Sequence, residues 1–189
     1  MKYDRDTIKA RYSNGERLKY VFFWGHTETG GQVTKGCFSQ WYPSVFTVDG
    51  VTYRTAEQYM MARKALLFDD REMLGEIMAA KHPKQCKTLG QQVRGFDQAV
   101  WDRNKYQIVL DGNLAKFGQN KPLLDFLLGT GTRVLVEASP YDKIWGIGLP
   151  ADDPRTENPH QWRGQNLLGF ALMEARDQLR EKTEKEISI

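Results

Sequence analysis

The 189-residue chain lacks the features that mark several large protein classes. It has only two cysteines, Cys37 and Cys86, with no CxxC motif and no paired histidine, which excludes a zinc framework and argues against a disulfide scaffold. No stretch approaches the roughly 20 apolar residues of a membrane-spanning helix. The first residues include acids and no apolar run, so we predict no signal peptide. These absences predict a soluble, cytoplasmic protein with no membrane partner.

Charge of one sign and nucleotide-binding motifs are also scarce. The net charge of +3 is spread along the chain, unlike the clustered basic face of a typical nucleic-acid-binding protein. Nucleic acid is therefore not favoured as a partner, whereas a small anionic ligand is compatible with this charge. Neither GxSxG nor GxxxxGK(S/T) occurs, and the three histidines fall in predicted loops without metal-ligand spacing. We therefore expect no metal site.

The composition that is present is typical of a single globular domain, with 40% hydrophobic and 27% charged residues. Strands are predicted at 19–24 and 133–137, and Asp-Gly between β-forming residues predicts a hairpin over 45–53. With about seven predicted helices, the pattern indicates an α+β fold that is predominantly helical. We predict a polar N-terminal extension, or a short first helix, over 1–18 and one domain over 19–184.

Capping residues place the starts of the helices. Thr55 to Gln58 has the form of a capping box, with Thr55 as the N-cap and Gln58 at the third helical position. Asp97 is expected to cap a long amphipathic helix, and Pro122 is typical of the first turn of the next one. The other helices are predicted to begin near residues 69, 83 and 166.

Two segments carry residues that packing of a hydrophobic core does not explain. The first is the start of the helix after the hairpin. Glu57 lies in the first turn, where the helix dipole favours a carboxylate whether or not the residue has a further role. Seven residues on, Lys64 shares a helical face with Glu57 and Met61, and it either extends to solvent or borders a pocket. Spacing alone favours structural roles, in which Glu57 interacts with the helix dipole and Lys64 extends to solvent.

The second place is the loop over residues 139–148, which leaves the end of a predicted strand, where binding sites are commonly built. Asp142 in this loop is an acid, a base or only the cap of a turn. Trp145 provides a flat aromatic surface beside Gly146, whose missing side chain lets a ligand approach the backbone closely. The sequence therefore indicates a second candidate site at this loop.

Several blocks of the sequence resemble the YbiA-like, or NADAR, proteins, and the match covers roughly residues 20 to 180. The most specific blocks are Asp-x-x-Trp-Gly-x-Gly over 142–148 and Gly-x-Asn-Leu-Leu-Gly over 164–169. The other blocks follow in the same order and are WYPSVF at 41–46, DGVTY at 49–53, AEQYMMARKA at 56–65, the segment 89–94, Trp101, KFGQN at 116–120 and LLGTG at 127–131.

The resemblance implies a YbiA-like fold and an N-glycosidase activity, that is, a hydrolase. Members similar to this chain cleave the C–N bond between a base-like amine and ribose 5-phosphate in early riboflavin-pathway intermediates, and others remove ADP-ribose from guanine. The expected partner is thus a small phosphoribosyl or ADP-ribosyl substrate. A binding module for NAD or ADP-ribose without turnover is the alternative from another class. No step requires a metal or an organic cofactor, so we expect none.

The resemblance also implies candidate catalytic roles, for Glu57, Asp142 and Lys64. Cleavage of an N-glycosidic bond passes through an oxocarbenium-like state, which a nearby carboxylate stabilises. We hypothesise that Glu57 handles water and charge while Asp142 orients the ribose hydroxyls or acts as the acid, and the reverse assignment stays open. Lys64 is also considered functional, and attack of its amine on the anomeric carbon would form a covalent imine.

The remaining candidates are substrate contacts. Trp101, which matches a candidate active-site position of the family, or Trp145 is expected to stack on the base. Arg94 and Arg163 are predicted to hold the 5′-phosphate, and Arg163 is otherwise a solvated charge. Asn166 is either a further substrate contact or a plain N-cap.

Two departures from the family pattern concern the identity of the leaving base rather than the type of reaction. The family more often has Ser-Asn-Phe where this chain has Ser39-Gln40-Trp41. Residues 26–36 contain several glycines and look like an inserted or lengthened mobile loop at the same edge.

Overall fold

A computed structural model describes residues 1–27 and 31–187, with side chains up to residue 185, so residues 28–30 of the predicted loop lie outside the described residues. The described residues form seven α-helices and two two-stranded sheets, which confirms the predominantly helical α+β class. The helices are α1 (Arg5–Ser13), α2 (Ala56–Leu67), α3 (Arg71–Ala79), α4 (Pro83–Gly90), α5 (Gln98–Gly118), α6 (Lys121–Gly129) and α7 (Leu167–Ile187). The strands are β1 (Tyr20–Phe23), β2 (Phe46–Val48), β3 (Val51–Tyr53) and β4 (Val134–Glu137).

Internal contacts divide the chain into two compact units. The terminal unit is the described part of Met1–Ser39 and Pro122–Ile189, and the central unit is Gln40–Lys121. The first unit is thus built from both ends of the sequence. The domain boundary between residues 18 and 19 stays a prediction.

The central unit includes the predicted hairpin of β2 and β3. Asp49 (φ 51°) and Gly50 (φ 77°) both have left-handed backbone conformations, as a tight turn between paired strands requires. Phe46 pairs with Tyr53 across the hairpin. Their rings pack with that of Tyr59 on α2, at centroid distances of 5.0 to 5.9 Å. This aromatic cluster joins the hairpin to α2.

Helix α2 begins where the sequence predicts. Thr55 Oγ1 accepts a hydrogen bond from Gln58 N (3.1 Å), as expected. Gln58 Oε1 accepts one from Arg54 N (2.9 Å), the residue before the N-cap, rather than closing the reciprocal bond of a capping box. The Gln58 amide also donates to the Ile77 carbonyl on α3 (3.1 Å). The side chains of Thr55 and Gln58 therefore connect the first turn of α2, which carries Glu57, to the residue before the helix and to α3.

Helices α3, α4 and α5 pack around α2 in the central unit. Asp97 caps α5 as predicted, and α3, predicted to begin near residue 69, is capped by Asp70. Gly112 on α5 allows a close approach to α2, because a Cβ there would lie 2.6 Å from the Tyr59 ring. The helix that carries Glu57 and Lys64 thus lies at the centre of this unit.

The terminal unit contains the second sheet, in which β1 and β4 pair in parallel with Phe23 opposite Glu137. Helix α7 packs on β4. Arg176 on α7 is almost fully buried and donates hydrogen bonds to Thr130 Oγ1 (2.9 Å) and to the Arg133 carbonyl (2.8 Å). These bonds tie α7 to the segment between α6 and β4.

The N-terminal residues, predicted as a polar extension or a short first helix, contain α1. Asp4 caps this helix by accepting a hydrogen bond from Thr7 N (2.7 Å). Ile8 is fully buried, and the Tyr3 hydroxyl donates to the Asp177 carboxylate on α7. The second of the two alternatives therefore holds for residues 5–13, and α1 packs within the terminal unit.

Candidate active site

Glu57 lies at the second helical position of α2 and is only 4% exposed. Its backbone N–H donates to the Gln40 carbonyl (2.9 Å), which satisfies one of the free donors of the first turn. Burial and the nearby Glu57 carboxylate raise the pKa of the Cys86 thiol to about 11, so this thiol stays protonated at neutral pH. The helix N-terminus favours the negative charge of Glu57, and the central unit therefore presents a buried carboxyl group at the start of a helix.

Lys64 lies two turns further along α2 and is half-buried. Its Nζ donates to the Gly90 carbonyl (2.7 Å) and lies 4.3 Å from the ring centroid of Phe96 and 5.5 Å from that of Trp101. Burial lowers the pKa of this amine below its usual range, because the charged form loses hydration. A larger share of Lys64 is thus in the neutral, nucleophilic form than for an exposed lysine.

The structure brings together two predicted site residues, Lys64 and Trp101. Trp101 is nine-tenths buried on α5, and its stacking on a base stays a prediction. Phe96 was missed by sequence reasoning, although its ring is the aromatic group nearer to the Lys64 amine. The available signal was an aromatic residue in the mostly polar segment 91–98.

Arg94, predicted to hold a phosphate, is engaged with two carboxylates. Its guanidinium pairs with Asp70 (2.7 Å) and Glu72 (2.8 Å), and its backbone N–H donates to Asp70 Oδ2 (2.8 Å). The Arg94 guanidinium holds the pKa of the Asp70 carboxyl well below its usual range. These contacts fix the segment after α4 to the start of α3, and the phosphate role of Arg94 stays a prediction.

In the terminal unit, Asp142 caps the turn of the loop after β4. Its Oδ1 accepts hydrogen bonds from Ile144 N (2.8 Å) and Trp145 N (2.7 Å), and no donor among the described residues bonds to Oδ2. Ser139 Oγ in turn accepts a bond from Asp142 N (3.1 Å). Asp142 thus caps a turn, which is one of its three predicted alternatives. The other oxygen of its carboxyl group stays available to contact a substrate.

Gly146 was expected to let a ligand approach the backbone, and the structure gives a different reason for glycine at this position. A Cβ on Gly146 would lie 2.8 Å from the Glu137 carbonyl oxygen, and a Cβ on Gly164 would lie 2.2 Å from the Gly146 oxygen. The close approach is therefore between segments of the chain itself. Trp145, beside Gly146, is half-buried.

The segment before α7 packs against this loop. Asn166 is fully buried with φ 57°, and its side chain bonds to β4 through Glu137 N (3.0 Å) and the Leu135 carbonyl (2.9 Å). It bridges loop and strand instead of capping α7 through its side chain. Arg163 is exposed, and its backbone N–H donates to the Ile147 carbonyl (2.9 Å). Substrate contacts of Asn166 and Arg163 stay predictions.

The part of the chain that the structure describes contains neither a cluster of metal-binding side chains nor a membrane-spanning helix. No group of three or more His, Cys, Asp or Glu side chains there is arranged to hold a metal ion. No helix among these residues combines the length and the apolar character that crossing a membrane requires. His160, one of the three histidines, bonds through Nε2 to Ser13 Oγ (2.8 Å) on the α1 side of the terminal unit.

Comparisons with known proteins agree on one family. The NADAR domain model matches residues 22–180. The N-glycosidase R617 of Acanthamoeba polyphaga mimivirus is 46% identical over 168 residues, which cover 86% of this chain and 98% of that protein. The riboflavin biosynthesis protein PYRR, chloroplastic, of Zea mays is 31% identical over 156 residues, 76% of this chain but 23% of the maize protein.

The N-glycosidase YbiA of Escherichia coli is similar in both sequence and structure. It is 32% identical over 144 residues, which cover 76% of this chain and 81% of YbiA. Its NMR structure superposes with a TM-score of 0.71 at 28% identity and covers 87% of each chain. The chain therefore belongs to the NADAR family and is a hydrolase of N-glycosyl bonds.

Proposed function

We propose that this hydrolase cleaves the C–N bond between a base-like amine and ribose 5-phosphate in intermediates of riboflavin biosynthesis. The observation that carries the proposal is the arrangement on α2, where one helix holds the buried Glu57 and the half-buried Lys64 amine. The similarity to the maize riboflavin biosynthesis protein supports this substrate class.

The first step of the proposed reaction is cleavage of the bond from the anomeric carbon to nitrogen. The bonding electrons leave with the nitrogen, which takes up a proton, and positive charge develops on the ribose ring. The Glu57 carboxylate stabilises this charge. A water molecule then bonds to the anomeric carbon and gives one proton to Glu57, so the products are ribose 5-phosphate and the free amine.

Lys64 offers a second route through a covalent intermediate. Its neutral amine attacks the anomeric carbon, and the leaving amine departs with the bonding electrons and a proton. Opening of the sugar ring then yields an imine between Lys64 and the former anomeric carbon, which water hydrolyses. The contacts with Phe96 and Trp101 and the lowered pKa of the amine support this role.

For Asp142 we propose a part in the same reaction, as the group that orients the ribose hydroxyls or protonates the leaving nitrogen. The support is the motif to which Asp142 belongs and the carboxyl oxygen that the turn leaves available. The reverse assignment of Glu57 and Asp142 remains an alternative. The single variants Glu57→Gln and Asp142→Asn separate the two assignments, because loss of the acid and loss of the base change different limbs of the pH–rate profile.

The experiment that tests the substrate class uses the full chain and two kinds of substrate. Purified early riboflavin intermediates and ADP-ribosylated guanosine are incubated with the protein, and the freed ribose 5-phosphate or ADP-ribose is measured. We expect turnover of the riboflavin intermediates. Turnover of ADP-ribosylated guanosine alone would replace our proposal with the ADP-ribosyl hydrolase alternative, and binding of ADP-ribose without any turnover would support a binding module.

A further inference from the structure

Two large aromatic side chains are exposed at one edge of the terminal unit. Trp24 directly follows β1 and Tyr141 lies in the loop after β4, and they are 59% and 85% exposed. Because β1 and β4 run parallel, both residues follow the carboxyl ends of their strands. Their ring centroids are 6.3 Å apart and the ring planes are tilted by 55°. The two rings therefore touch while most of their surface stays open to solvent.

The exposure of Tyr141 does not result from a loose loop. Ser139 Oγ accepts hydrogen bonds from Tyr141 N (3.4 Å) and Asp142 N (3.1 Å), and Asp142 Oδ1 accepts two more from the backbone further along. Ile144 in the same loop is also 43% exposed. A fixed backbone that presents aromatic rings to solvent is pre-organised for binding, because little conformational entropy is lost when a ligand covers them.

Two cationic side chains lie beside this loop. A Cβ on Gly148 would lie 3.2 Å from Lys143 Cγ and 3.1 Å from Arg163 Cβ, so the stems of Lys143 and Arg163 flank the same glycine. Both residues are exposed. Lys143 is two residues from Tyr141, so aromatic and positively charged surface are adjacent. This combination matches a ligand with a planar ring and a phosphate group.

We propose that Trp24 and Tyr141, rather than Trp101 or Trp145, form the stacking surface for the heteroaromatic ring of the leaving amine of a ribosyl 5-phosphate substrate. The inference rests on the proposed function, because it takes Asp142, the residue next to Tyr141, as part of the reaction site. A ring that lies on the face of one aromatic side chain meets the other at a tilt, so both contribute to binding. The pair then selects aromatic leaving groups and tolerates different ring substituents.

The test compares two ligands that share ribose 5-phosphate. One is ribose 5-phosphate itself, and the other is pseudouridine 5′-phosphate, whose C–C glycosidic bond leaves no N-glycosidic bond to hydrolyse. Isothermal titration of the full chain is expected to give pseudouridine 5′-phosphate an affinity higher by about tenfold, the typical effect of stacking one base on aromatic side chains. The double variant Trp24→Ser, Tyr141→Ser should lose this difference, with the affinity for ribose 5-phosphate changed by less than about twofold.

Tyr12→Ser is the matched control, because Tyr12 is also an exposed aromatic residue of the terminal unit and packs edge-on against His160. It should keep the tenfold difference. The proposal is overturned if the ring adds no affinity, if its contribution survives in the double variant, or if the double variant changes only the oligomeric state. Ring-dependent affinity without hydrolysis of any N-ribosyl substrate would count against the proposed function alone.

Discussion

At the scale of single residues, Glu57 is the side chain on which the proposed reaction depends most. Glu57→Gln keeps the size and burial of the side chain but removes its charge and its ability to take a proton. We expect kcat to fall by about 10²-fold or more while KM changes little, because the loss concerns the transition state. Steady-state kinetics with the substrate identified by the hydrolysis assay measures both constants.

The control for this variant is Glu76→Gln, since Glu76 is exposed on α3 of the same unit. It should leave kcat and KM unchanged. A Glu57→Gln protein that retains full turnover would remove Glu57 from the mechanism. A protein that never turns substrate over but binds ADP-ribose equally with and without this carboxylate would be a binding module.

The Lys64 amine offers a second test at this scale. If the imine forms, borohydride reduction during turnover should attach the sugar phosphate to the protein, and peptide mapping should place it on Lys64. Lys64→Arg should abolish the adduct, because a guanidinium stays protonated and is not a nucleophile. Lys87→Arg, an exposed position on α4, serves as the control. Turnover without any trapped adduct would leave only the direct attack of water.

At the scale of elements, the sequence predicted the turns and helix caps, which depend on residues close together in the chain. The Asp49-Gly50 turn, the Thr55 cap and the Asp97 cap depend on backbone groups a few residues away, and all three are found where expected. The parallel pairing of β1 with β4 was not predicted, because it joins segments more than a hundred residues apart. The same limit applies to Phe96, whose contact with Lys64 depends on how α4 and α5 pack.

Asn166 shows how one residue supports several elements, and its replacement separates structure from substrate binding. Asn166→Ala removes the hydrogen bonds to Glu137 N and the Leu135 carbonyl and leaves a part-buried N–H and a buried carbonyl without this partner. We expect a loss of about 2 kcal/mol or more in the free energy of unfolding. Urea denaturation followed by circular dichroism measures it.

The companion variant is Asn166→Gly, which loses the same hydrogen bonds but tolerates the left-handed backbone at φ 57°. It should be about 1 kcal/mol more stable than the alanine variant. If both variants keep the stability of the original chain and only KM rises, Asn166 is a substrate contact rather than a bridge between loop and strand.

At the scale of the whole molecule, the pattern of predicted helices and strands indicated the fold class, whereas the neighbours of each site residue came from the structure. Arg94 illustrates the difference, since its type and position matched a phosphate contact but Asp70 and Glu72 engage it. Asp142 was expected as an acid, a base or a turn cap, and the structure gives it the third role without removing the others. Residue type thus limits the reactions that a side chain can support, and packing decides which of its atoms stay free to take part in them.

Alkaline pH should destabilise both units of the molecule. Burial raises the pKa of Tyr20, in the terminal unit, and of Tyr59, in the central unit, to about 12. In the unfolded chain both hydroxyls ionise near pH 10, so between about pH 10 and 12 the unfolded state holds fewer protons and the free energy of unfolding falls. Urea midpoints measured from pH 8 to 11.5 should decline above about pH 10.

The variants Tyr20→Phe and Tyr59→Phe should each flatten this decline, because phenylalanine cannot ionise. Tyr20→Phe should in addition be as stable as the original chain or more stable at pH 7, since its buried hydroxyl bonds to no described residue and its removal leaves no partner unsatisfied. Tyr141→Phe is the control, because Tyr141 is 85% exposed. A decline of equal slope in all variants would mean that other groups cause it, and a large loss at pH 7 in Tyr20→Phe would mean that the hydroxyl has a partner that stabilises the fold.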